Sequence, residues 1–281
     1  MKWISVIEKK RVFEVQHWED YLKLTEQIGK RYASHQQGGY STRVLILYRG
    51  LHDSELPLDT TLERYCSSVW TVNDYYELIK RIIPVVKRYS CIDWKLSSVM
   101  PSWQPKNRLP CYEYWSYLRH CGFPSPLLDW TIDPRIAAFF AFDKPEVEQD
   151  KTNGKVAIFV HIGMPNQAYS FWDGAPVISP QKDITKIPVR DVVQKACQTI
   201  CTEEINGIQT IISHERIFKN RPLEVLDQDF LCKVTIPKSE RIKAISYLMK
   251  HGITHSHLYQ TGNLLTQTID FKWSGETYNQ L

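Results

Sequence analysis

The segment that most restricts the fold of this chain runs from residue 120 to 135 and reads HCGFPSPLLDWTIDPR. Gly122 and three prolines limit its backbone, because proline fixes φ and both residue types favour turns. Gly122 is suited to end a helix predicted over 110–121 with a left-handed cap. Asp133 and Pro134 are suited to the N-cap and first position of the next helix. The sequence therefore predicts a rigid loop between two helices.

Apolar runs and amphipathic patterns alternate along the rest of the chain. Runs rich in β-forming residues predict strands at 12–15, 43–50, 155–162, 208–218 and 230–236. Apolar residues at helical spacing predict helices at 17–32, 73–89, 110–121, 135–142, 189–201 and 238–252, with a short helix after residue 257. These elements follow no regular βαβ rhythm. The predicted fold class is therefore α+β, with mixed central β-sheets flanked by helices.

The composition narrows the class of protein. The chain has 35 basic and 31 acidic residues, and its net charge of +4 permits an anionic partner without requiring one. Seven cysteines without a C-x-x-C pair argue against a disulfide framework and a zinc knuckle. The sequence has no signal-peptide pattern and no apolar stretch near the ~18 residues of a membrane span. Since no Gly/Ser or Pro-rich linker divides it, we expect one cytoplasmic domain over residues 1–281.

Arg49, Asp129, Trp130 and Thr131 are the first candidate site residues. Arg49 ends the apolar run RVLILYRG, and a buried arginine is costly unless it meets an anion or a carboxylate. Either a ligand or an internal acid such as Asp129 would satisfy it. Asp129, Trp130 and Thr131 together offer an acceptor, a stacking plane and a hydroxyl, which suits a planar heterocycle and a ribose. Alternatively, Asp129 caps a turn and Trp130 belongs to the core.

His214 and Glu215 form a second candidate pair. Adjacent residues of a strand point to opposite faces, so only one of the two can face a pocket, and the strand register decides which. A carboxylate at Glu215 would suit hydrogen bonding to a ribose hydroxyl and stabilisation of oxocarbenium charge, although a solvated glutamate is the alternative. The three histidines of HGITHSH have no carboxylate or thiolate near them in sequence, so no metal site is predicted.

The same segments resemble a known family. YRG at 48–50, the HWEDYL helix, RHCGFPSPLLDWTIDPRIAAFFAF and CKVTIPKSERIKAISYLMKHGIT look like the FRG domain, which is named for a Phe-Arg-Gly motif. The resemblance covers residues 16 to 270 or so. The usual central motif is Q-H-x-G-x-P-T-R-L-L-D-W-T, from which this chain keeps most positions. It departs at Ser125 and at Pro126, where the family usually has Thr and Arg. His214, Glu215, Arg216 and Phe218 occupy the place of a Gln-Gln-Gly-x-Phe run that is common in the family.

The order of elements in the FRG domain is similar to that of ADP-ribosyltransferases of the Arg-Ser-Glu class. In that comparison Arg49 matches the arginine of the first strand, and Asp129 to Thr131 lie where Ser-Thr-Ser would. Glu215 would be the glutamate. The resemblance therefore implies an ADP-ribosyltransferase-like core, with an N-terminal part at about 12–50, a helical insertion at about 62–121 and a sheet core at about 122–281.

The resemblance also implies an activity and a set of site residues. It implies an NAD-dependent ADP-ribosyltransferase toxin of bacterial antiphage defence or a toxin–antitoxin module, with NAD as substrate and no metal. The site residues that it implies are Glu215, Arg49 and His214 for catalysis and Arg49, Gly50, His120, Asp129, Trp130 and Thr131 for NAD binding.

The expected acceptor is a nucleic acid, with RNA favoured over DNA, or a protein. Basic and aromatic residues interleave at 87–108, which would suit a single strand. An antitoxin protein is an expected partner, and no membrane partner is expected. The alternative function is a non-catalytic FRG module that senses a nucleotide or a peptide. A metal-dependent nuclease is disfavoured because clustered carboxylates are absent from the sequence.

Overall fold

The structure is a computed structural model that describes residues 12–33, 44–90, 92–144, 154–163, 176–181, 189–219 and 230–259. Its strands are β1 (Val12–Glu14), β2 (Leu45–Leu51), β3 (Trp70–Thr71), β4 (Leu128–Thr131), β5 (Lys155–Gly163), β6 (Val177–Gln181), β7 (Ala196–Ile205), β8 (Ile208–Ile211) and β9 (Phe230–Pro237). Its α-helices are α1 (Trp18–Ala33), α2 (Thr61–Tyr65), α3 (Val72–Arg81), α4 (Ile83–Ser90), α5 (Tyr112–His120), α6 (Pro134–Phe142), α7 (Val189–Val193), α8 (Arg216–Lys219), α9 (Arg241–Lys250) and α10 (His255–Tyr259).

The strands of the described residues form one curled, mixed β-sheet. Its order is β1-β9-β5-β2-β4-β7-β8-β3, and β6 pairs with β7 beside this path. The β1–β9 pair is parallel, whereas the other pairs are antiparallel. Helices flank this sheet. The predicted mixture of strands and helices around a mixed sheet is therefore confirmed, although the strands make a single sheet.

One face of the sheet carries the main hydrophobic core beneath α1, α6 and α9. Trp18 and Tyr21 lie on the apolar face of α1, where residues three and four apart point the same way. The Trp18 ring packs edge-on against Phe142 of α6, with ring centroids 6.4 Å apart. The first turn of α1 is capped by a residue that is far away in the sequence, because the Trp18 amide donates to Glu240 Oε2 at 2.8 Å. Sequence-distant helices are thereby joined over one sheet face.

Gly50 permits the close approach of α6 to β2. A Cβ atom at this position would lie 1.9 Å from the carbonyl oxygen of Ala137 and 2.7 Å from the amide nitrogen of Ala141. Real Cβ atoms do not approach a backbone this closely, so a larger residue would push α6 away from the sheet. The glycine after Arg49 therefore has a packing reason that is independent of any ligand.

Residues 61–120 hold four helices, α2 to α5, and the short strand β3. Two of these helices begin with reciprocal capping boxes, Thr60 with Glu63 at α2 and Thr71 with Asp74 at α3. Tyr75 of α3 and Trp115 of α5 pack with ring centroids 4.8 Å apart in a separate core. The predicted helix at 73–89 is divided near Ile82 into α3 and α4, as expected from the proline two residues later.

Two secondary-structure predictions are wrong. The predicted helix at 189–201 ends at Val193, and residues from Ala196 onward form β7, which pairs with β4, β6 and β8. Val192, Val193, Ala196 and Ile200 recur at helical spacing, so the sequence also fitted a helical pattern. The predicted strand at 208–218 ends at Ile211, because the chain turns at Ser213 before α8.

The rigid segment at 120–135 is mostly as predicted. Gly122 has a φ of +83°, and Asp133 caps α6 by accepting from the Arg135 amide, with Pro134 as the first helical residue. The difference is that the part expected to be a loop contains β4, whose pairing with β7 depends on distant residues. Within the part of the chain that the structure describes, no helix is long and apolar enough to cross a membrane.

Candidate ligand-binding site

A cavity of about 1030 Å³ lies where β2, β4 and β7 meet α5. Its volume is at the upper end of the roughly 300–1,000 Å³ typical of small-molecule sites. From the sheet, the cavity is lined by residues 48–50 in β2, 129–132 at β4, 194–198 at the start of β7, and Gln181. From the helical region, it is lined by residues 92, 94–96, 111–114, 116, 117 and 120, and the remaining lining residues are Phe140, Asp191 and Val192. Polar side chains from the sheet and aromatic rings from the helical region therefore face the same space.

Arg49 lies at the point where β2 and β4 separate. The two strands share the single register pair Tyr48 with Thr131 in this structure. Beyond that pair, Arg49 Nη1 donates to the main-chain carbonyl oxygen of Asp129 at 2.6 Å. Burial lowers the pKa of Arg49 to about 10, and Asp129 opposes that shift, so the guanidinium is charged at neutral pH. Among the described residues, its buried Nε has no hydrogen-bond partner.

The carboxylate of Asp129 is bound by Arg119 at both of its oxygen atoms. Arg119 Nε donates to Asp129 Oδ1 at 2.8 Å, and Arg119 Nη2 donates to Oδ2. The Arg119 side chain is 9% exposed, whereas that of Asp129 is 47% exposed. Burial alone would raise the pKa of Asp129, but Arg119, Arg49 and Gln198 lower it to about 2. The carboxylate is therefore ionised, fixed and open to the cavity.

Gln198 and Tyr112 continue this polar network across the sheet. Gln198 stands opposite Asp129 in the β4–β7 register, and its Nε2 donates to Asp129 Oδ1 at 3.0 Å. The Tyr112 hydroxyl donates to Gln198 Oε1 at 2.9 Å. Because burial raises the pKa of Tyr112, this hydroxyl stays protonated and can act as the donor. The amide of Gln198 is thus oriented with its NH₂ group toward Asp129.

Trp130 and Thr131 have mainly internal contacts. Both contribute atoms to the cavity lining, but the Trp130 side chain is 3% exposed and its Nε1 donates to Thr199 Oγ1 at 2.8 Å. The indole lies in the core on the opposite face of β4 from the Asp129 carboxylate, as alternation along a strand requires. The Thr131 hydroxyl donates to the carbonyl of Gln194 at 2.7 Å. The Trp130 ring, which was expected to stack on a ligand, therefore lies in the core.

His214 and Glu215 lie in the turn after β8. His214 is fully buried, and its Nε2 is 2.8 Å from Thr199 Oγ1. Burial, His161 and the two nearby arginines lower the pKa of His214 well below its usual value, so the imidazole is neutral. Glu215 Oε1 accepts from the Leu58 amide at 2.8 Å and ties down the segment after β2. Neither residue is part of the described cavity lining.

The mouth of the cavity contains His120 and several rings from the helical region. His120 Nε2 is 3.7 Å from Asp191 Oδ1, and both residues line the space. Trp94 and Tyr117 also line it, with ring centroids 5.3 Å apart. The lining residues Cys111 and Lys195 have left-handed backbones, with φ of 54° and 48°. Backbone strain of this kind concentrates at functional sites.

The comparison with protein families gives one match for this chain. Residues 44–150 match the FRG domain. The match covers 107 of the 281 residues and supports an FRG domain in this part of the chain. No curated protein and no solved structure matches the sequence. The matched FRG segment contains Arg49, Arg119 and Asp129, whereas Gln198 and Glu215 follow it in the chain.

All six residues predicted to bind NAD line the cavity. One of them, Arg49, was also predicted to be catalytic. Sequence reasoning missed Arg119, Gln198 and Tyr112. Arg119 stands where the quoted motif has its first Gln, and this was the available signal, because an arginine in a motif that also contains an aspartate is a candidate partner for that aspartate. Gln198 gave no signal, since it lies in the segment that was predicted to be helical. Among the described residues, no group of three His, Cys, Asp or Glu is placed to hold a metal ion.

Proposed function

We propose that this chain is an NAD-dependent ADP-ribosyltransferase of the FRG type and that the cavity beside α5 is its NAD site. The observation that carries the proposal is the arrangement around Asp129. A charged arginine, an ionised carboxylate and aromatic rings face one cavity large enough for a dinucleotide. Those are the three kinds of group that a pyrophosphate, a ribose and a planar base require. The FRG match over residues 44–150 is compatible with this assignment.

The chemistry of the proposed reaction uses these groups in a defined way. The bond between ribose C1′ and the nicotinamide nitrogen breaks, and nicotinamide leaves as a neutral molecule with the electron pair of that bond. Positive charge then develops on the ribose, and a nearby carboxylate stabilises it. A nucleophilic atom of the acceptor bonds to C1′ and loses its proton to solvent or a base. Arg49 would bind the pyrophosphate of NAD as a charged donor.

The roles of Glu215 and His214 in catalysis remain predictions. Glu215 accepts a hydrogen bond from the Leu58 amide, and His214 is a fully buried neutral imidazole. These contacts give both residues a reason to be present in the fold without chemistry. The cavity has a carboxylate of its own at Asp129, so the proposed reaction does not require Glu215 to reach the ligand.

RNA is our proposed acceptor, and a protein acceptor is the second choice. The helical region presents the aromatic ring of Tyr89, which is 86% exposed, beside the exposed basic residues Lys87 and Arg88. An exposed aromatic ring next to basic residues suits stacking and phosphate contacts with a single strand. We also propose that the protein acts as a toxin in antiphage defence or a toxin–antitoxin module, which would require a neutralising protein.

A nucleotide-sensing module without catalysis is the second candidate function. It is favoured by one observation, which is that the predicted glutamate Glu215 is not part of the cavity lining. Such a module would bind the same ligand through the same arginine and carboxylate, but it would release no nicotinamide. Both functions therefore predict binding of NAD, but only the transferase releases nicotinamide.

The test uses the purified chain with NAD that carries separate labels in the nicotinamide and adenosine parts. Incubation with pools of RNA, DNA and lysate protein should release nicotinamide and transfer the adenosine label to one pool. Arg49→Ala should abolish both signals, while the matched control Arg81→Ala removes an exposed arginine from the end of α3. Binding of NAD without release of nicotinamide would establish the sensing module instead. The absence of both binding and release would contradict the NAD site altogether.

A further inference from the structure

The hydrogen bonds of Asp129 leave one acceptor position directed away from Arg119 and Gln198. An ionised carboxylate has about four lone-pair positions. Within the described part of the chain, Oδ1 accepts from Arg119 Nε and from Gln198 Nε2, and Oδ2 accepts from Arg119 Nη2. The fourth position is on Oδ2, and the side chain is 47% exposed. The carboxylate is therefore fixed on one side and available to a donor on the other.

The charges around this carboxylate define what else the ligand carries. Arg119 is matched by Asp129 in a two-point ion pair, whereas the Arg49 hydrogen bond in the described structure goes to a neutral main-chain carbonyl. Arg49 and Arg119 together exceed the charge of Asp129 by one. Asp191 and Glu113 also line the cavity, so this surplus is local to the two arginines, and an anionic group of the ligand beside Arg49 would be stabilised there. The expected ligand thus combines a hydroxyl donor with an anionic group a short distance away.

We propose that Asp129 is the residue that binds the ribose 2-hydroxyl of a ribonucleotide, with Arg119 and Gln198 as positioning residues and Arg49 as the site of the adjoining phosphate. Recognition of the hydroxyl by Asp129 does not depend on catalysis. The role of Asp129 as the carboxylate that stabilises the reacting ribose rests on the proposed function. In that role Asp129 takes the place that sequence reasoning gave to Glu215.

Rigidity distinguishes Asp129 from an ordinary solvated aspartate. Its two oxygens are held by a planar guanidinium that is itself 9% exposed and by an amide that Tyr112 orients. A carboxylate held in this way needs no reorientation when a hydroxyl arrives, so less entropy is lost on binding. The arrangement therefore favours a ribose over a 2-deoxyribose, because the deoxy sugar leaves the acceptor without a donor.

The first experiment needs no variant. Isothermal titration calorimetry compares the affinity of the wild-type chain for ADP-ribose with its affinity for the analogue that lacks the 2-hydroxyl of the terminal ribose. We expect the deoxy analogue to bind roughly 10- to 100-fold more weakly, as for loss of a hydrogen bond to a charged group. Equal affinities for the two ligands, or no binding of ADP-ribose, would overturn the proposal.

Variants then assign the discrimination to named residues. In Asp129→Asn and in Arg119→Lys the ratio of the two affinities should fall to within about threefold of one. Arg119→Lys keeps the positive charge and loses the two-point geometry, so loss of the ratio in a folded variant identifies positioning. Asp20→Asn, which removes an aspartate paired with Lys23 on α1, is the matched control and should keep the ratio. A ratio that is unchanged in Asp129→Asn and lost in Glu215→Gln would overturn the assignment.

The outcomes separate this inference from the proposed function. If the wild type discriminates the hydroxyl through Asp129 but releases no nicotinamide from NAD, the transferase proposal fails and the binding assignment stands. If nicotinamide is released at the same rate by wild type and a folded Asp129→Asn variant, the transferase stands and the assignment of the reaction carboxylate fails. Arg49→Ala should weaken ADP-ribose and its deoxy analogue equally, because it removes the phosphate contact that both share.

Discussion

Two arginines contact Asp129 through different atoms. Arg49 donates one hydrogen bond to this residue at 2.6 Å. The contact is to the main-chain carbonyl of Asp129, while its carboxylate is held by Arg119. Residue types and spacing can predict that a cation needs a partner. They cannot predict which atom it meets, because that depends on where β2 and β4 separate.

His214 should make the stability of the protein depend on pH below neutrality. Its folded-state pKa is lowered by burial, by His161 and by Arg49 and Arg119. A histidine in the unfolded chain takes up a proton below a pKa of about 6.5, whereas buried His214 does not, so acid favours unfolding. We expect the free energy of unfolding to fall by roughly 2 kcal/mol between pH 7 and pH 5 from this residue alone.

Urea unfolding at pH 7, 6 and 5 measures this effect, and the variant His214→Gln provides the comparison. The glutamine can still form a hydrogen bond with Thr199, but it cannot be protonated. The loss of stability on acidification should therefore be smaller in the variant by that amount. Identical pH profiles for the two proteins would mean that His214 is not the group that titrates.

At the scale of elements, the strands that depend on distant partners were the hardest to predict. The helices α1, α3, α5 and α6 follow from apolar periodicity, and α3 and α6 also have local N-caps at Thr71 and Asp133. β7 does not, because its hydrogen-bond partners in three other strands are distant in sequence and its residues are buried on both faces. Gln198 was invisible for the same reason. Of the three site residues that sequence reasoning missed, Gln198 therefore belongs to the element that was assigned wrongly, whereas Arg119 and Tyr112 belong to α5.

Gly50→Ala should disrupt the contact between α6 and β2. The added methyl group would meet the backbone of Ala137 at 1.9 Å, and a helix backbone cannot yield as a flexible side chain can. We expect a loss of about 3 kcal/mol in the free energy of unfolding, at the upper end for overpacking. Thermal or urea denaturation measures it. Gly29→Ala in α1, where nothing lies within 4 Å of the new methyl, is the control and should stabilise the helix slightly.

The N-cap of α6 should lose its effect in acid. Burial would raise the pKa of Asp133, but Arg135 and Lys195 lower it from 3.8 to about 2. A carboxylate with a depressed folded-state pKa stabilises the protein above its unfolded pKa, and this contribution is lost as the pH falls toward 2. Asp133→Asn keeps a capping oxygen but removes the charge. It should destabilise the protein by about 2 kcal/mol at pH 7.

The test is a set of urea unfolding curves for wild type and Asp133→Asn at pH 7, 4 and 3. The deficit of the variant should be full at pH 7 and should shrink between pH 4 and pH 3. Asp20→Asn serves as the comparison, because it removes an exposed pair with Lys23 and should change stability far less. A deficit that stays constant with pH would show that the charge of Asp133 is not what stabilises α6.

At the scale of the whole molecule, the cavity is assembled from segments that are far apart in sequence. Residues 48–50, 112–120, 129–132 and 194–198 reach it from a strand, a helix and two further strands. The FRG match ends at residue 150, so β7 and its glutamine lie beyond it. The motif residues could be selected from the sequence because they are close together or match a family pattern. β7 completes the wall of the cavity because it lies next to β4 in the sheet, and local sequence patterns do not specify the order of strands.

Binding of a dinucleotide in this cavity should stabilise the whole fold. The cavity joins the sheet to the helical region, and a ligand that binds only the folded chain adds RT ln(1 + [L]/Kd) to the free energy of unfolding. NAD or ADP-ribose at 100 times its Kd should add about 2.7 kcal/mol and raise Tm by roughly 5–10 °C. Differential scanning calorimetry at several ligand concentrations measures this rise. Nicotinamide riboside lacks the pyrophosphate that Arg49 is proposed to bind, so at equal concentration it should raise Tm much less. An equal rise with both ligands would argue against the phosphate contact, and no rise with either would mean that neither ligand binds the folded chain.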